Sequence, residues 1–353
     1  MKKRDSIKFG LLGLGTVVKA RVSNVFLKEI KNAKISAVYD KDRNKNKEYT
    51  KKFKCKFSKN ENNFFSKNFE ICYISTDSGS HYKNIKKCFK FNKHVVVEKP
   101  PVLKTSQLIL LNKIAKKKKL FFYAIYQNRE NKSVKFVKNF LKKNKERIVL
   151  VNLKLLWSRP QKYYSRWHGK WKTDGGVIAQ QGIHYIDLLC FLFGKPLTAV
   201  SLTKNISNKL QAEDTHLGLI KFQNANCIFG LTTSLRPNDL SALIEIYLQK
   251  KVIILSGLCC NEVLIKSYDN QKQEHFKRIS KKNSEKVKNG IGNSHRKCFE
   301  EIIRKMLQKN ASSPLKAIDT LQTLKLINML YKSSDQNKWI KNNKTNIISR
   351  LGN

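Results

Sequence analysis

The chain has 353 residues, 41% of them hydrophobic, and carries a formal net charge of +47 from 72 Lys and Arg against 25 Asp and Glu. That length supports two domains with separate cores, and that apolar fraction excludes a disordered polyelectrolyte. No apolar run is long enough to cross a bilayer, and the excess charge is scattered lysine, so neither a membrane nor a nucleic acid is expected as a partner.

The first predicted strand covers residues 7–12 and runs into Gly13-Leu14-Gly15-Thr16-Val17-Val18, followed by a helix to about residue 29. A second strand over 35–39 ends at Asp40, and a lysine-rich helix follows at about 44–53. The next strand, 71–74, ends at Ser75-Thr76, with a helix starting near His81. The run His94-Val95-Val96-Val97-Glu98-Lys99-Pro100 reads as a buried strand, because three consecutive β-branched residues suit a sheet covered on both faces. Pro100 ends its ladder, leaving Lys99 at the C-terminal edge, where doubly wound sheets bind ligands. A helix over 106–116 and a strand over 120–125 complete an alternation that predicts a parallel sheet with right-handed crossovers.

Beyond about residue 125 the pattern changes. A helix at 133–142 precedes strands at 147–157, 198–203, 216–222, 227–234, 241–248 and 252–255, in the quick succession of an antiparallel sheet. Helices are expected at about 182–193, 294–308 and 317–331, and there is no internal repeat. The fold class is therefore α/β: a doubly wound parallel domain over 1–125, then an α+β domain over 126–353 with a large, mostly antiparallel open sheet. The eight cysteines lack any metal-ligand spacing, so free thiols, a reducing cytoplasmic setting and no metal site are expected.

Gly13-x-Gly15 lies between a strand and a helix, with an acid at the end of the next strand, which is the setting of a dinucleotide fingerprint. The first glycine permits the turn, and the second lets the backbone approach a pyrophosphate beside Thr16 and Val17 at the helix start. Val18 stands at the third-glycine position, a departure that would displace the helix slightly. Asp40 suits the adenosine ribose hydroxyls and would repel a 2′-phosphate, which favours NAD; Lys41 and Arg43 leave NADP open. Thr76 and His81, after the third strand, are cofactor neighbours or helix-start residues. A helix from about residue 178 would put Gln180, His184 and Asp187 on one face, and a histidine facing a cleft can move a proton near neutral pH.

Gly13-Leu14-Gly15, Asp40, Glu98-Lys99-Pro100, Asn128-Arg129 and Gly182-Ile183-His184-Tyr185-Ile186-Asp187 together resemble the glucose–fructose oxidoreductase/inositol dehydrogenase/MocA family, in order and spacing over nearly the whole chain. The stretch Tyr163-Tyr164 to Trp167, Trp171, Gly175-Gly176, Gln181-Gly182-Ile183-His184, Glu213-Asp214-Thr215 and the terminal Ser349-Arg350-Leu351-Gly352 resemble members that oxidise sugars or nucleotide sugars, among them the UDP-N-acetylglucosamine-type 3-dehydrogenases. The resemblance implies a Rossmann domain, Lys99 as the lysine that lowers the alcohol's pKa, and His184 as general acid/base. Many members carry an aspartate four residues before that histidine; here it is Gln180, which cannot accept a proton.

The resulting expectation is an NAD-dependent oxidoreductase acting on a secondary hydroxyl of a sugar or nucleotide sugar. Gly13, Gly15, Thr16, Val17, Asp40, Thr76, His81, Glu98 and Lys99 would serve the cofactor. Arg129, Arg159, Tyr163, Arg166, Gln180 and Asp187 would serve the substrate, arginine being suited to phosphate. An inositol or simple-sugar dehydrogenase is the enzymatic alternative, and an NAD-binding regulator without turnover is the alternative from another class. The resemblance also implies a homodimer or homotetramer.

Overall fold

The computed structural model of the protein describes residues 6–287, 294–308, 315–343 and 347–353. The chain packs as two compact units, one made of Met1–Gln127 with Asn293–Thr320, the other of Asn128–Gly292 with Leu321–Asn353.

In the first unit, strands β1 (Ile7–Leu12), β2 (Ala33–Tyr39), β3 (Ile71–Ile74), β4 (His94–Val97) and β5 (Phe122–Ala124) form one sheet in the order β2-β1-β3-β4-β5. Every pairing is parallel. β3 is buried along its whole length and β4 at all three valines, as expected of apolar runs covered on both faces. Helices α1 (Arg43–Lys52), α2 (Glu61–Phe65), α3 (His81–Lys90) and α4 (Thr105–Lys117) fill the connections. Helix starts follow local chemistry: Asp42 accepts from the Asn44 and Lys45 amides at the head of α1.

The expected unbroken second domain is interrupted. Helix α9 (Ser294–Leu307) returns to the first unit, because its apolar stripe of Cys298, Phe299, Ile302, Ile303 and Met306 belongs to that unit's core. Phe299 meets Phe26 edge-on at 5.0 Å and Phe9 at 6.1 Å. Nothing local marks this return, since an amphipathic helix reads the same against either sheet.

The second unit holds α5 (Lys132–Lys143), β6 (Ile148–Leu156), α6 (Val177–Gln180), α7 (Ile183–Phe193), β7 (Pro196–Lys204), β8 (Thr215–Phe222), β9 (Asn226–Thr232), β10 (Ser241–Leu248), β11 (Lys251–Ser256), β12 (Glu262–Ser267), α8 (Asn270–Asn283), α10 (Leu321–Gln336) and β13 (Ile340–Lys341). Sequence periodicity did not announce β12, α8 or β13. The strands form an eight-stranded sheet, β12-β11-β10-β6-β9-β8-β7-β13, antiparallel except where β6 runs parallel to β9. Strict alternation in β10, with Ala242, Ile244, Ile246 and Leu248 buried, shows one covered face. On the other face Leu202 pairs with Leu217 and Leu219 with Ile228, all four exposed.

Candidate functional site

The sheet order of the first unit diverges between β1 and β3, and at such a switch point ligands bind beyond the C-terminal strand ends. Both ends carry expected residues. Gly13 has φ +91°, and a Cβ there would stand 2.8 Å from the Ser75 carbonyl and the Thr76 nitrogen, so only glycine fits. The Ser75 hydroxyl donates to the Gly13 carbonyl, and the Gly13 amide donates to the Tyr39 carbonyl, clamping the loop between two strand ends. Gly15 differs: no atom lies within 4 Å of where its Cβ would be. Bare backbone under open space at a switch point fits the close approach of a pyrophosphate, with Gly15, Thr16 and Val17 as the residues that would hold it.

Asp40 does more than the sequence suggested. Its carboxylate accepts from the Leu14 amide at 2.7 Å and from the Asp42 amide at 2.9 Å, so it pins the glycine loop from the end of β2. A carboxylate offers about four lone-pair sites, which leaves capacity for ribose hydroxyls. The following helix persists but winds as π-helix over Val18–Val22 and Val25–Glu29. The wider winding begins at buried Val18, where the fingerprint carries its third glycine, so the departure coincides with altered winding and not with loss of the helix.

His81 is not exposed to a ligand, contrary to the expectation of a cofactor neighbour. It is 1% exposed, with Nδ1 2.8 Å from the Pro100 carbonyl and Nε2 3.1 Å from the Thr76 carbonyl. Burial pushes its pKa down, against the two carbonyls and the Asp77 and Glu98 charges that pull it up. It is a latch joining the end of β3 to the turn after β4. Thr76 is held from its other side, where its hydroxyl accepts from the Asn84 amide at 2.9 Å.

Glu98 is likewise a core residue. Its carboxylate accepts from the Tyr73 hydroxyl at 2.6 Å, and His295 of α9 places Nε2 3.5 Å away. Burial alone would raise the Glu98 pKa; the His295 hydrogen bond and charge, the Tyr73 hydroxyl and the Lys99 charge together hold it below the ordinary value. Tyr73 is pushed up by burial and by that carboxylate. Lys99, half-buried, thus stands between two anchored neighbours, Glu98 by its side chain and Pro100 by its carbonyl.

In the second unit the helix expected from residue 178 breaks at Gln181-Gly182, between α6 and α7. Gln181 and Gly182 keep right-handed helical dihedrals, and of the three residues expected on one face only Asp187 is fully buried. Asp187 is 1% exposed and grips Arg129 through Nε at 2.7 Å and Nη2 at 2.5 Å, while the Thr323 hydroxyl donates to it at 2.8 Å. Arg129 is 3% exposed, so these two residues match each other's charge inside the unit and do not face substrate as expected. His184 and Gln180 are half-buried.

The head of α6 is fixed by Glu213, which sequence reading had noted only as part of the resemblance. Its carbonyl accepts from the Val177 amide at 2.9 Å, and its carboxylate accepts from the Ile178 amide at 3.2 Å and the Tyr331 hydroxyl at 3.1 Å. The Tyr331 oxygen in turn accepts from the Gly176 amide at 2.9 Å. A Cβ on Gly176 would overlap the Glu213 carboxylate at 2.1 Å, so the Gly175-Gly176 turn is closed around this acid. Asp214 beside it accepts from the Ile206, Ser207 and Asn208 amides. Burial would raise its pKa, and these bonds, with the Ser234 side chain, bring it below the ordinary value.

The remaining expected substrate residues lie on the stretch after β6. Arg159 pairs with Asp239 at 2.8 Å and lies over the Trp157 and Tyr163 rings; Arg166 is exposed. Tyr163 lies 2.6 Å from the Gln180 amide and stacks at 4.5 Å on His168, a histidine the sequence reading passed over. His168 Nδ1 is 2.7 Å from a carboxylate oxygen of Asp174, whose other oxygen accepts from the Gly169 amide at 2.9 Å. Burial pushes Asp174 up, with His168 and the Gly169 and Lys170 backbone partly offsetting it. The signal available was the short spacing of His168 and Asp174 just ahead of the Gly175-Gly176 turn.

Comparison with known proteins follows the two units. Residues 7–126 match the sequence model of the oxidoreductase family's NAD-binding Rossmann fold, and residues 145–341 that of its C-terminal alpha/beta domain. A curated relative, the scyllo-inositol 2-dehydrogenase (NADP(+)) IolW of Bacillus subtilis (strain 168), is 29% identical over 140 residues, spanning 39% of this chain and 38% of that protein. The WlbA dehydrogenase from Chromobacterium violaceum, solved with NADH and UDP-GlcNAcA, superposes with a TM-score of 0.85 at 24% identity, covering 97% of each chain. The WlbA dehydrogenase from Bordetella pertussis, solved with the same two ligands, superposes with a TM-score of 0.84 at 23% identity, covering 95% of this chain and 97% of that one.

Proposed function

The chain belongs to the glucose–fructose oxidoreductase/inositol dehydrogenase/MocA family of oxidoreductases, and on that basis we propose that it oxidises a secondary hydroxyl of a nucleotide sugar with NAD as hydride acceptor. The observation that carries this reading is Lys99, half-buried at the end of a parallel strand and anchored on both sides. The glycine loop with open space above Gly15, and Asp40 beside it, support the dinucleotide and favour NAD over its 2′-phosphorylated form. The nucleotide-sugar class is supported by the WlbA structures and by the basic stretch that carries Arg159 and Arg166.

The nicotinamide of the bound dinucleotide supplies the hydride acceptor. His184 takes the hydroxyl proton as the carbinol carbon gives up its hydride, and Lys99 stabilises the negative charge that develops on the oxygen. Gln180 donates or accepts a hydrogen bond at the sugar, with Tyr163, Arg159 and Arg166 as further contacts. A second reading, an inositol or simple-sugar dehydrogenase, is favoured by the Bacillus subtilis relative. We further propose that a second copy of the chain covers the open sheet face, where Leu202, Leu217, Leu219 and Ile228 form exposed cross-strand pairs. Light scattering that finds a monomer at micromolar concentration would remove that part. Among the described residues no helix is long and apolar enough to cross a membrane. The eight cysteines are free thiols, which supports a reducing cytoplasmic setting.

The test is the rise of NADH absorbance with NAD and a panel of UDP-sugars, free sugars and inositols. Lys99→Ala and His184→Ala should each lower turnover by roughly 10²–10⁴-fold. Turnover on inositol alone would install the second reading, and NADH binding without turnover on any substrate would install a regulator. Activity surviving both substitutions would overturn the assignment of the two residues.

A further inference from the structure

His168 is the one buried-edge histidine of the second unit that the proposed chemistry leaves without a task, and its surroundings define what its ring can do. Asp174, 1% exposed, lies 2.7 Å from Nδ1, so that nitrogen carries a proton directed at a carboxylate. The Gln180 amide lies 2.5 Å from the same nitrogen and 2.6 Å from the Tyr163 hydroxyl. Gln180 Nε2 donates to the Tyr163 hydroxyl oxygen, and the single proton on His168 Nδ1 is directed at Asp174. Tyr163 stacks parallel to the imidazole at 4.5 Å, and the Trp167 ring centroid is 3.8 Å away, which fixes the ring plane. With one nitrogen committed and the plane fixed, only Nε2 remains. It has no hydrogen-bond partner among the described residues, and the side chain is 18% exposed.

An oriented imidazole with one accessible nitrogen is a recognition element with a preferred ligand charge. With Nδ1–H held by Asp174, a ring that carries both protons offers Nε2–H as a directed, charge-assisted donor. The chain around it is strongly basic: Arg159, Lys162, Arg166, Lys170 and Lys172 fall between residues 159 and 174, where the only acid is Asp174 itself. Lys162, Arg166, Lys170 and Lys172 are exposed, which would draw an anion towards the stretch. Gln180, the residue expected to meet the sugar, is in contact with the same ring, so a ligand reaching Gln180 comes within reach of Nε2.

We propose that His168, oriented by Asp174, binds a negatively charged oxygen of the substrate, a phosphate or a sugar carboxylate, through Nε2–H. This rests on the nucleotide-sugar reading and adds to it a residue that selects for an anionic substrate. His168 here recognises and does not transfer the proton of the oxidised alcohol, so its loss acts on affinity before turnover.

The test uses the full chain with UDP, UDP-N-acetylglucosamine and UDP-N-acetylglucosaminuronate as probes, read by calorimetry and by Trp fluorescence, Trp167 lying against the ring. His168→Gln keeps a hydrogen bond to Asp174 without the charge, and Asp174→Asn keeps the imidazole without its carboxylate. His168→Gln should weaken binding about tenfold or more and raise KM in proportion, with a smaller fall in kcat; Asp174→Asn should act in the same direction. Loss shared by all three probes assigns the phosphate; loss confined to the uronate assigns the carboxylate. Equal affinities in wild type and His168→Gln overturn the proposal while leaving the nucleotide-sugar reading intact. A loss of NADH binding or of melting temperature that accompanies every loss of affinity marks a structural role and also overturns it. Failure of the unaltered protein to bind any probe, with NADH still bound, overturns both readings together.

Discussion

At the cofactor side the candidate site is built from backbone, whereas in the second unit it is built from side chains held by partners distant in sequence. Gly13 is fixed by the Tyr39 carbonyl and the Ser75 hydroxyl, and Gly15 presents bare main chain. In the second unit Gly176 closes on Glu213 and Tyr331, and Asp187 is taken up by Arg129 and Thr323. In the first unit the glycines that leave the backbone bare are near neighbours in sequence, although Gly13 is held by Tyr39 and by Ser75, 62 residues away. Side-chain networks depend on residues that folding alone brings together, so one substitution can strand several buried groups.

The sharpest way to break this contrast is to cut the buried pair. Asp187→Ala leaves the Arg129 guanidinium enclosed without its carboxylate, and about 3–5 kcal/mol of stability should be lost in urea unfolding. The substrate KM of the protein that remains folded should change little. A raised KM at unchanged stability would return both residues to the substrate, as the sequence had suggested.

A smaller effect should separate the two glycines of the loop. Gly13→Ala forces a side chain into φ +91° and against the Ser75 and Thr76 backbone, which should cost about 1–3 kcal/mol or more. Gly15→Ala meets nothing within 4 Å, so the melting temperature should hold while NADH affinity falls, read by fluorescence titration. If Gly15→Ala binds NADH as tightly as the unaltered protein, the open space above Gly15 is not the pyrophosphate site.

The same contrast explains what could be read in advance. The parallel sheet, the glycine loop and Lys99 at a strand end follow from apolar runs, turn residues and a proline close together in the chain. The Arg129–Asp187 pair joins residues 58 apart and the Glu213–Tyr331 bond residues 118 apart, and neither has a local pattern. The return of α9 to the first sheet is of the same kind, because its stripe fits any apolar face. His168 and Asp174 are only six residues apart, yet they were passed over for another reason. The stretch between β6 and α6 has no regular period, so no helix or strand was available on which to place them.

The finest test sets the buried titratable groups of the two units against each other. His81 and Glu98 both have folded pKa values below their ordinary ones, His81 because burial disfavours the imidazolium and Glu98 because His295, Tyr73 and Lys99 outweigh burial. A depressed folded value means that the unfolded chain takes up protons first as pH falls. The stability each contributes is therefore present above its unfolded value and is lost on acidification, from about pH 6.5 downward for His81 and from about pH 4.5 downward for Glu98. Asp174 has the opposite sign: burial raises its folded value, so its contribution is present at low pH and lost as pH rises through that value. His81→Gln should cost roughly 0.5–1.5 kcal/mol at neutral pH, for one carbonyl left without its donor, and should flatten the fall of stability between pH 7 and 5. Asp174→Asn should steepen the acid loss below that range, because a carboxyl favoured by protonation is gone. If His81→Gln leaves the slope unchanged, the buried latch is not what makes the first unit sensitive to acid, and the weight shifts to Glu98 and its partners on β3 and α9.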